Sequence, residues 1–448
     1  MKTMRAGAMR VVITGPIGLP LAGCRTDRYT TGKKDELYAR AVVLEGGETV
    51  AIVTCDVLAV DEGTVARIRQ LASEGCGIKP ENILICATHT HTAMATVPIF
   101  NTTPDPAYME FFVRAAAGAI VGAHAALRPA RLTCGKAWED SISFNRRVIL
   151  KDGTVIIGGL EDDTPPDTVR EIEGGIDPEI GLIGILDGNG DYLAAIGNFS
   201  CHCDIVTGKE YSSDYPTYVE RELNQLLGGD FPVLILTGAA GDINHLNVMD
   251  PESTASRSRY FDPQGPARCA RFSKVLAAQM ALGLYKAQAV EHPAVCASVN
   301  YLDAALRSPR AEELSWAEQI LQWDGAPLKE RITAKEIFRL QTMQREEKNA
   351  RLEIQIMRIG EAEIIAVPCE VFCEIGVALK KTAPNRLTLV STLTNGYDGY
   401  MITEKAYRNG GYEAQAAFSS KLSEHAGEAL VAHVRQRRSQ DTEQKEAK

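Results

Sequence analysis

The sequence has no run of about 18 or more consecutive apolar residues, so no transmembrane helix is expected. It has no excess of basic residues either. Its formal net charge is −10 at pH 7, which argues against nucleic acid or an anionic membrane as a partner. No Pro-, Gly- or Ser-rich linker, internal repeat or low-complexity tract is legible. A single domain over residues 1–434 is therefore the simplest expectation. Two catalytic signatures are also missing. The glycine-rich stretch TGAAGDINHLN lacks Gly-Lys-Ser/Thr, so it is not a P-loop. No G-x-S-x-G elbow occurs, which sets aside a serine hydrolase of that type.

What is present is ordinary globular composition: 45% hydrophobic and 24% charged over 448 residues, enough for a substantial core. The 11 cysteines are an odd number and sit mostly in apolar runs, such as AIVTCDV (Cys55) and ILICATH (Cys86). That reads as reduced, buried thiols and a cytoplasmic location. One stretch competes with this. VVITGPIGLPLAGC, Val11 to Cys24, follows a basic start and ends in Leu21-Ala22-Gly23-Cys24, like a bacterial lipoprotein signal. But Thr14, Gly15, Pro16, Gly18 and Pro20 interrupt its apolar run, where a signal needs a continuous one. The likeness is read as coincidental, and no stable membrane anchor is expected.

The chain alternates strand-like and helix-like segments. The expected class is α/β, with mixed packed β-sheets covered by α-helices. MRVVITG (Met9–Gly15) is a short strand. ARAVVLEGGETVAIVTCDVLAV is a hairpin, and EIGLIGILDGNGDYLAAIGNFSCHC is another, turning at DGNGD. A charged helical section at about 304–350 reads as an insertion or lid, with Trp316 and Trp323 as packing residues. The tail 435–448, RQRRSQDTEQKEAK from Arg435, reads as polar and disordered.

Several strands end in polar clusters. ATHTH places His89 and His91 two residues apart, on one face if the segment is extended. Two imidazoles there suit a metal. NFSCHCDIV adds His202. In a strand Cys201 and Cys203 point away from it, so they read as packing. Glu370 follows a strand, GYDGYMITEKAYRNGGYE holds Tyr400 and Tyr412, and the Gly-rich turn holds Asp242, Asn244 and His245. Spacing alone yields a divalent-metal enzyme and no more.

Taken together, ITGPIGLPLAG, LYARAVVLEGG, ATHTH, SFNRR, GGIDPEIGLI, SSDYPTYVERELN, GAAGDIN, AVPCEVFCEIG and GYMITEKAYRNGGYE resemble, in this order, the catalytic domain of the neutral/alkaline ceramidase family. The resemblance implies one zinc per chain, held by His89, His202, Glu370 and Tyr400. It implies that His91, Arg146 and Tyr412 handle the substrate carbonyl and its developing charge. It places ITGPIGLPLAG inside the folded enzyme. No counterpart of the family's C-terminal immunoglobulin-like domain is expected after GGYE. One departure matters. Where the family has Gly-Asp-x-Ser-Pro-Asn, this chain has Gly241-Asp242-Ile243-Asn244-His245-Leu246. Asn244 cannot act as the serine nucleophile, while His245 can supply a base.

The functional expectation is a zinc-dependent hydrolase. It would cut an amide or related C–N bond in a small polar substrate with a metal-activated water. The alternatives are a metal-dependent lyase or isomerase acting on a sugar or hydroxy acid, and a non-catalytic protein that keeps the fold.

Overall fold

The computed structural model describes residues 4–158, 166–250, 264–383 and 386–446. Three sheets carry most of it. In spatial order the first is Ile83–Ala87, Glu48–Cys55, Tyr38–Gly46, Arg5–Val12 and Arg128–Pro129. The second is Val233–Thr237, Tyr192–Phe199, Glu179–Leu186, Arg131–Trp138 and Gln288–Ala289. The third is Val295–Ala305, Asn349–Ile359, Ala362–Ala366 and Leu387–Ser391.

One unit recurs in all three: an antiparallel hairpin, a helix, then a strand parallel to the hairpin's second arm. The helices are Glu62–Cys76, Tyr215–Leu227 and Cys373–Lys381. The parallel pairs begin at Ala51↔Ile83, Ala195↔Val233 and Ala362↔Leu387. This structural repeat is not legible in the sequence. What recurs is connection and burial pattern, not residue identity.

Both faces of these strands are buried, and alternate residues sort between two cores. Val42, Leu44, Ile52 and Leu84 of the first sheet meet Ile183, Ile196 and Leu236 of the second and Met357, Ile364 and Leu389 of the third. Val43, Val53 and Ile85 turn the other way, onto Ile68 and onto Phe112 and Ile120 of helix Pro106–Ala125. The second sheet is covered by Tyr215–Leu227 and Gly265–Tyr285, and the third by Cys373–Lys381 and the C-terminal helix. The sheets thus share one centre, each shielded outside by helices.

Three expectations shift in detail. The first strand is Arg5–Val12, beginning before Met9 and ending before Gly15. The tail is not disordered through its described part: a helix runs Ala426–Glu446. Arg438 docks it by donating to Glu363 Oε1 through Nε (2.9 Å) and to Thr388 through Nη2 (3.2 Å). Composition alone did not reveal that anchor. The 304–350 section holds two helices, Ala311–Gln322 and Leu328–Glu346, packed through Ala317, Ile320, Ala334 and Ile337. Trp316 packs there, whereas Trp323 is 54% exposed. Most of the 11 cysteines are buried. Among the described residues no helix is long and apolar enough to cross a membrane.

Candidate metal centre and active site

The polar segments that follow the parallel strands converge. His89 lies two residues past Ile83–Ala87, and the chain turns sharply at it, with φ of 69°. So rare a conformation needs anchoring. The His89 N–H donates to the Val57 carbonyl (3.0 Å), and Nδ1 bonds the Leu58 carbonyl (2.8 Å). The segment is therefore not extended, and a shared strand face is not what unites His89 and His91. The turn does so, bringing their rings to 4.9 Å, edge to face.

His202 follows Tyr192–Phe199 and bonds the Ala240 carbonyl through Nδ1 (2.7 Å). A carbonyl only accepts, so Nδ1 carries a hydrogen in both His89 and His202, and their Nε2 atoms turn inward. Both Nε2 atoms meet the same oxygen, Glu370 Oε2, at 3.4 and 3.5 Å. The ring nitrogens of His89, His91 and His202 that face one another lie within 4.8 Å, a grouping that can hold a metal ion.

Glu370 and Tyr400 are register partners in a short parallel bridge, Glu370–Val371 with Tyr400–Met401. Tyr397 donates its hydroxyl to Glu370 Oε1 (2.9 Å), which leaves Oε2 for the centre. Arg146 spans the other side. Its Nη1 lies 3.2 Å from His202 Nε2, its Nη2 donates to the Tyr400 hydroxyl (3.1 Å), and its Nε donates to Glu413 (2.9 Å). Arg147 holds the second Glu413 oxygen at 2.6 Å. Tyr412 packs edge-on against Tyr400, with centroids 6.0 Å apart.

The electrostatics favour electron-pair donors. Burial, then the neighbouring His89, pushes His91 well below its ordinary pKa. Burial, then Arg146, pushes His202 down. Burial raises the Glu370 carboxyl, but His89 and His202 outweigh it and hold it well below the usual range. Burial and the Glu370 charge push the Tyr400 phenol well up. Three atoms of the residues around this centre are buried without a hydrogen-bond partner, His91 Nε2, Glu370 Oε2 and Asp204 Oδ1. Inward-facing imidazole nitrogens and a carboxylate oxygen are the donor set a divalent cation takes, so these residues fit the metal that the resemblance implies.

The cavity they line encloses about 40 Å³, room for roughly three water-sized bodies. It opens towards a cleft of about 700 Å³, with which it shares Ile157 and Tyr412. The 304–350 helices contribute Arg310, Trp316 and Thr333 to that cleft. Leu21, Ala22 and Cys24 are buried, and Cys24 lines the inner cavity. At Gly23, φ is 91° and a Cβ would come within 2.7 Å of His91 Nδ1. Only glycine fits there.

No protein-family model and no curated protein matches the chain. Solved structures do. The neutral ceramidase from Pseudomonas aeruginosa superposes with a TM-score of 0.70 at 18% identity, over 97% of this chain and 73% of that one. A ceramidase complexed with C2 gives 0.71 at 19% identity, over 96% and 73%. The fold is that of a neutral ceramidase.

Within this ceramidase fold, the structure brings together His89, His91, His202, Glu370, Tyr400, Arg146 and Tyr412, all of which line the inner cavity. It does not bring Asp242 or Asn244 to that wall. Asp242 accepts from the Cys373 N–H and from Asn145 Nδ2, both at 2.7 Å, and its own carbonyl accepts from the Arg146 N–H (2.8 Å). Asn244 Oδ1 accepts from the Leu246 N–H (3.0 Å). Both therefore hold the turn that positions Arg146. His245 stands one layer back, with Nδ1 3.3 Å from Asp204 Oδ1.

Asp204 itself escaped the sequence reading. It lines the cavity, and although burial raises its pKa, His245 and the cluster histidines hold it well below the ordinary value. The signal was available, because Asp204 follows His202 by two residues, the spacing that drew notice to His89 and His91. Arg28 was also missed. It donates to the carbonyls of His91 (2.9 Å), Ala22 (2.7 Å) and Gly208 (3.1 Å), a role that no motif marks.

Proposed function

We propose that this chain is a zinc-dependent hydrolase of an amide or related C–N bond in a small polar substrate. The observation that carries the reading is the inward meeting of His89 Nε2 and His202 Nε2 on Glu370 Oε2, an oxygen buried with no hydrogen-bond partner. Two ring nitrogens and a carboxylate oxygen that converge on one point form a donor set that a divalent cation takes.

In this reading His89, His202, Glu370 and Tyr400 hold one zinc per chain, with His91 beside them. Zinc, when bound, supplies a Lewis acid for the substrate carbonyl and lowers the pKa of water. The protein does the rest. His91, kept neutral by burial, takes a proton from the attacking water and returns it to the leaving nitrogen. Arg146 carries a permanent charge and is braced by Glu413, which suits it to the oxyanion that forms at the carbonyl. Tyr412, on the wall between cavity and cleft, contributes a hydroxyl to the same oxygen. Asp204 with His245 balances charge behind the cluster.

Ceramide is not the expected substrate. Asn244 stands at the serine position and its oxygen is committed to Leu246. The inner cavity also has space for a reacting group, not for a chain. The mostly buried cysteines support a cytoplasmic location.

The test is turnover of short amides in water labelled with heavy oxygen, wild type beside His202→Ala. The expected result is label in the wild-type acid product, with zinc and turnover both lost in the variant. A zinc-free variant with full activity contradicts the reading. Wild-type turnover without label makes the enzyme a lyase or isomerase.

A further inference from the structure

Arg25 lies in the outer cleft and takes no part in the chemistry above. It is 3% exposed. Nη1 donates to two neutral acceptors, Thr333 Oγ1 (2.9 Å) and Gln415 Oε1 (3.0 Å). Nε is buried without a partner, and Nη2 donates to nothing among the described residues. No carboxylate of the described residues comes within 4.0 Å of the guanidinium.

The other deeply buried arginines differ. Arg40, Arg69, Arg146 and Arg147 each bond a carboxylate, Arg28 uses three carbonyls, and Arg307 donates to the Ala414 carbonyl (2.6 Å) with Glu313 at 3.8 Å. Arg25 alone among these lies buried with its fork half spent and no carboxylate beside it. Such a charge is costly unless something pairs with it.

We propose that Arg25 is the receptor for an oxyanion on the substrate: a carboxylate, phosphate or sulfate group. The guanidinium lies over the rings of Phe100 (5.3 Å to the centroid) and Tyr412 (4.8 Å), which fixes its plane. A planar fork with fixed orientation and unspent hydrogens matches an oxyanion. The cleft wall also carries exposed Lys329, at its solvent side, and the charges of Arg310, Glu312, Glu313 and Glu330. Arg310 is already paired with Glu312 (3.1 Å) and Glu313 (3.3 Å). Glu336, whose field reaches Arg25, is pushed towards its neutral form by burial. Half-buried Glu330 is the remaining acid on the wall.

Tyr412 links the two places, with Arg25 over its ring and Tyr400 at its edge. The scissile bond and the oxyanion then lie on opposite sides of one tyrosine. This placement of the scissile bond rests on the hydrolase reading. The binding of an oxyanion does not.

The experiment titrates acetate, inorganic phosphate and sulfate separately into wild type, Arg25→Gln and His202→Ala, following melting temperature and heat of binding. The expected result is saturable stabilisation of the wild type by at least one of them. It is retained in His202→Ala and weakened by at least ~10-fold in Arg25→Gln. The anion that saturates names the chemistry. Three results overturn the proposal: no saturable binding by any anion, binding unchanged in Arg25→Gln, or binding lost in His202→Ala, which would place the anion at the zinc site. If Arg25→Gln does not fold, a wild-type crystal soaked in selenate decides. Density against Arg25 supports the proposal, and density elsewhere or nowhere overturns it. Neither zinc content nor turnover is read, so failure here is separable from failure of the hydrolase assignment.

Discussion

Asp56 follows the second arm of the first sheet's hairpin much as His202 and Glu370 follow those of the second and third. Both places are buried and charged, but they are built differently. Around Asp56 the charges close. Arg40 donates to Asp56 (2.7 Å), to Glu220 (2.8 Å) and to Thr217 (2.7 Å). The Tyr38 and Val233 N–H groups reach the same two carboxylates at 2.9 Å. Around Glu370 they do not close. One oxygen is held by Tyr397, and the other faces two histidines with no donor of its own. Burial and charge are common to both clusters, so neither marks a functional site. What marks it is the unmet valence. A closed cluster holds the sheets in place, and an open one is ready for a cation.

The comparison can be broken from either side. Arg40→Met leaves buried Asp56 without a cation and Glu220 with Arg10 alone. It is expected to cost about 3–5 kcal/mol in denaturant unfolding, with zinc per folded chain unchanged. A small loss would mean the cluster is not closed. Arg146→Lys keeps the charge but loses the fork. It is expected to lower kcat by about 10²–10³-fold with zinc retained, and unchanged kcat would remove Arg146 from the reaction. Tyr397→Phe removes the hydroxyl that orients Glu370. Zinc affinity against a competing chelator should weaken about 10–100-fold, while the melting temperature barely moves.

The smallest effect is that of pH on the metal-free protein. His91 and His202 have folded pKa values pushed below the ordinary one. Above about pH 6.5 they are neutral in both states and contribute no slope. Below it the unfolded chain binds protons that the fold refuses, so stability falls with pH, by about 1 kcal/mol per histidine in the first unit. Stability flat through that range would contradict the neutral assignment.

Much of this was legible in the sequence, and for a physical reason. The hairpins Tyr38–Cys55 and Glu179–Phe199 announce themselves by apolar arms and glycine turns. His89, His202 and Glu370 stand directly after apolar runs, where strands of this kind deliver their chemistry. What stayed hidden depends on contacts remote in the chain. The turn at His89 is held by Val57 and Leu58. Arg146 is braced by Glu413, which lies 267 residues further along the chain. The C-terminal helix reads as a polar tail until Arg438 is seen on Glu363. Asp242 and Asn244 stand in the Gly-rich turn, and the hydrogen bonds that occupy them are what a sequence does not display.

The central claim is that the open cluster holds a metal. Elemental analysis of the purified protein, wild type beside Glu370→Ala, tests it most directly. The account predicts about one zinc per wild-type chain, lost in the variant. No metal in either protein, or equal metal in both, would contradict it.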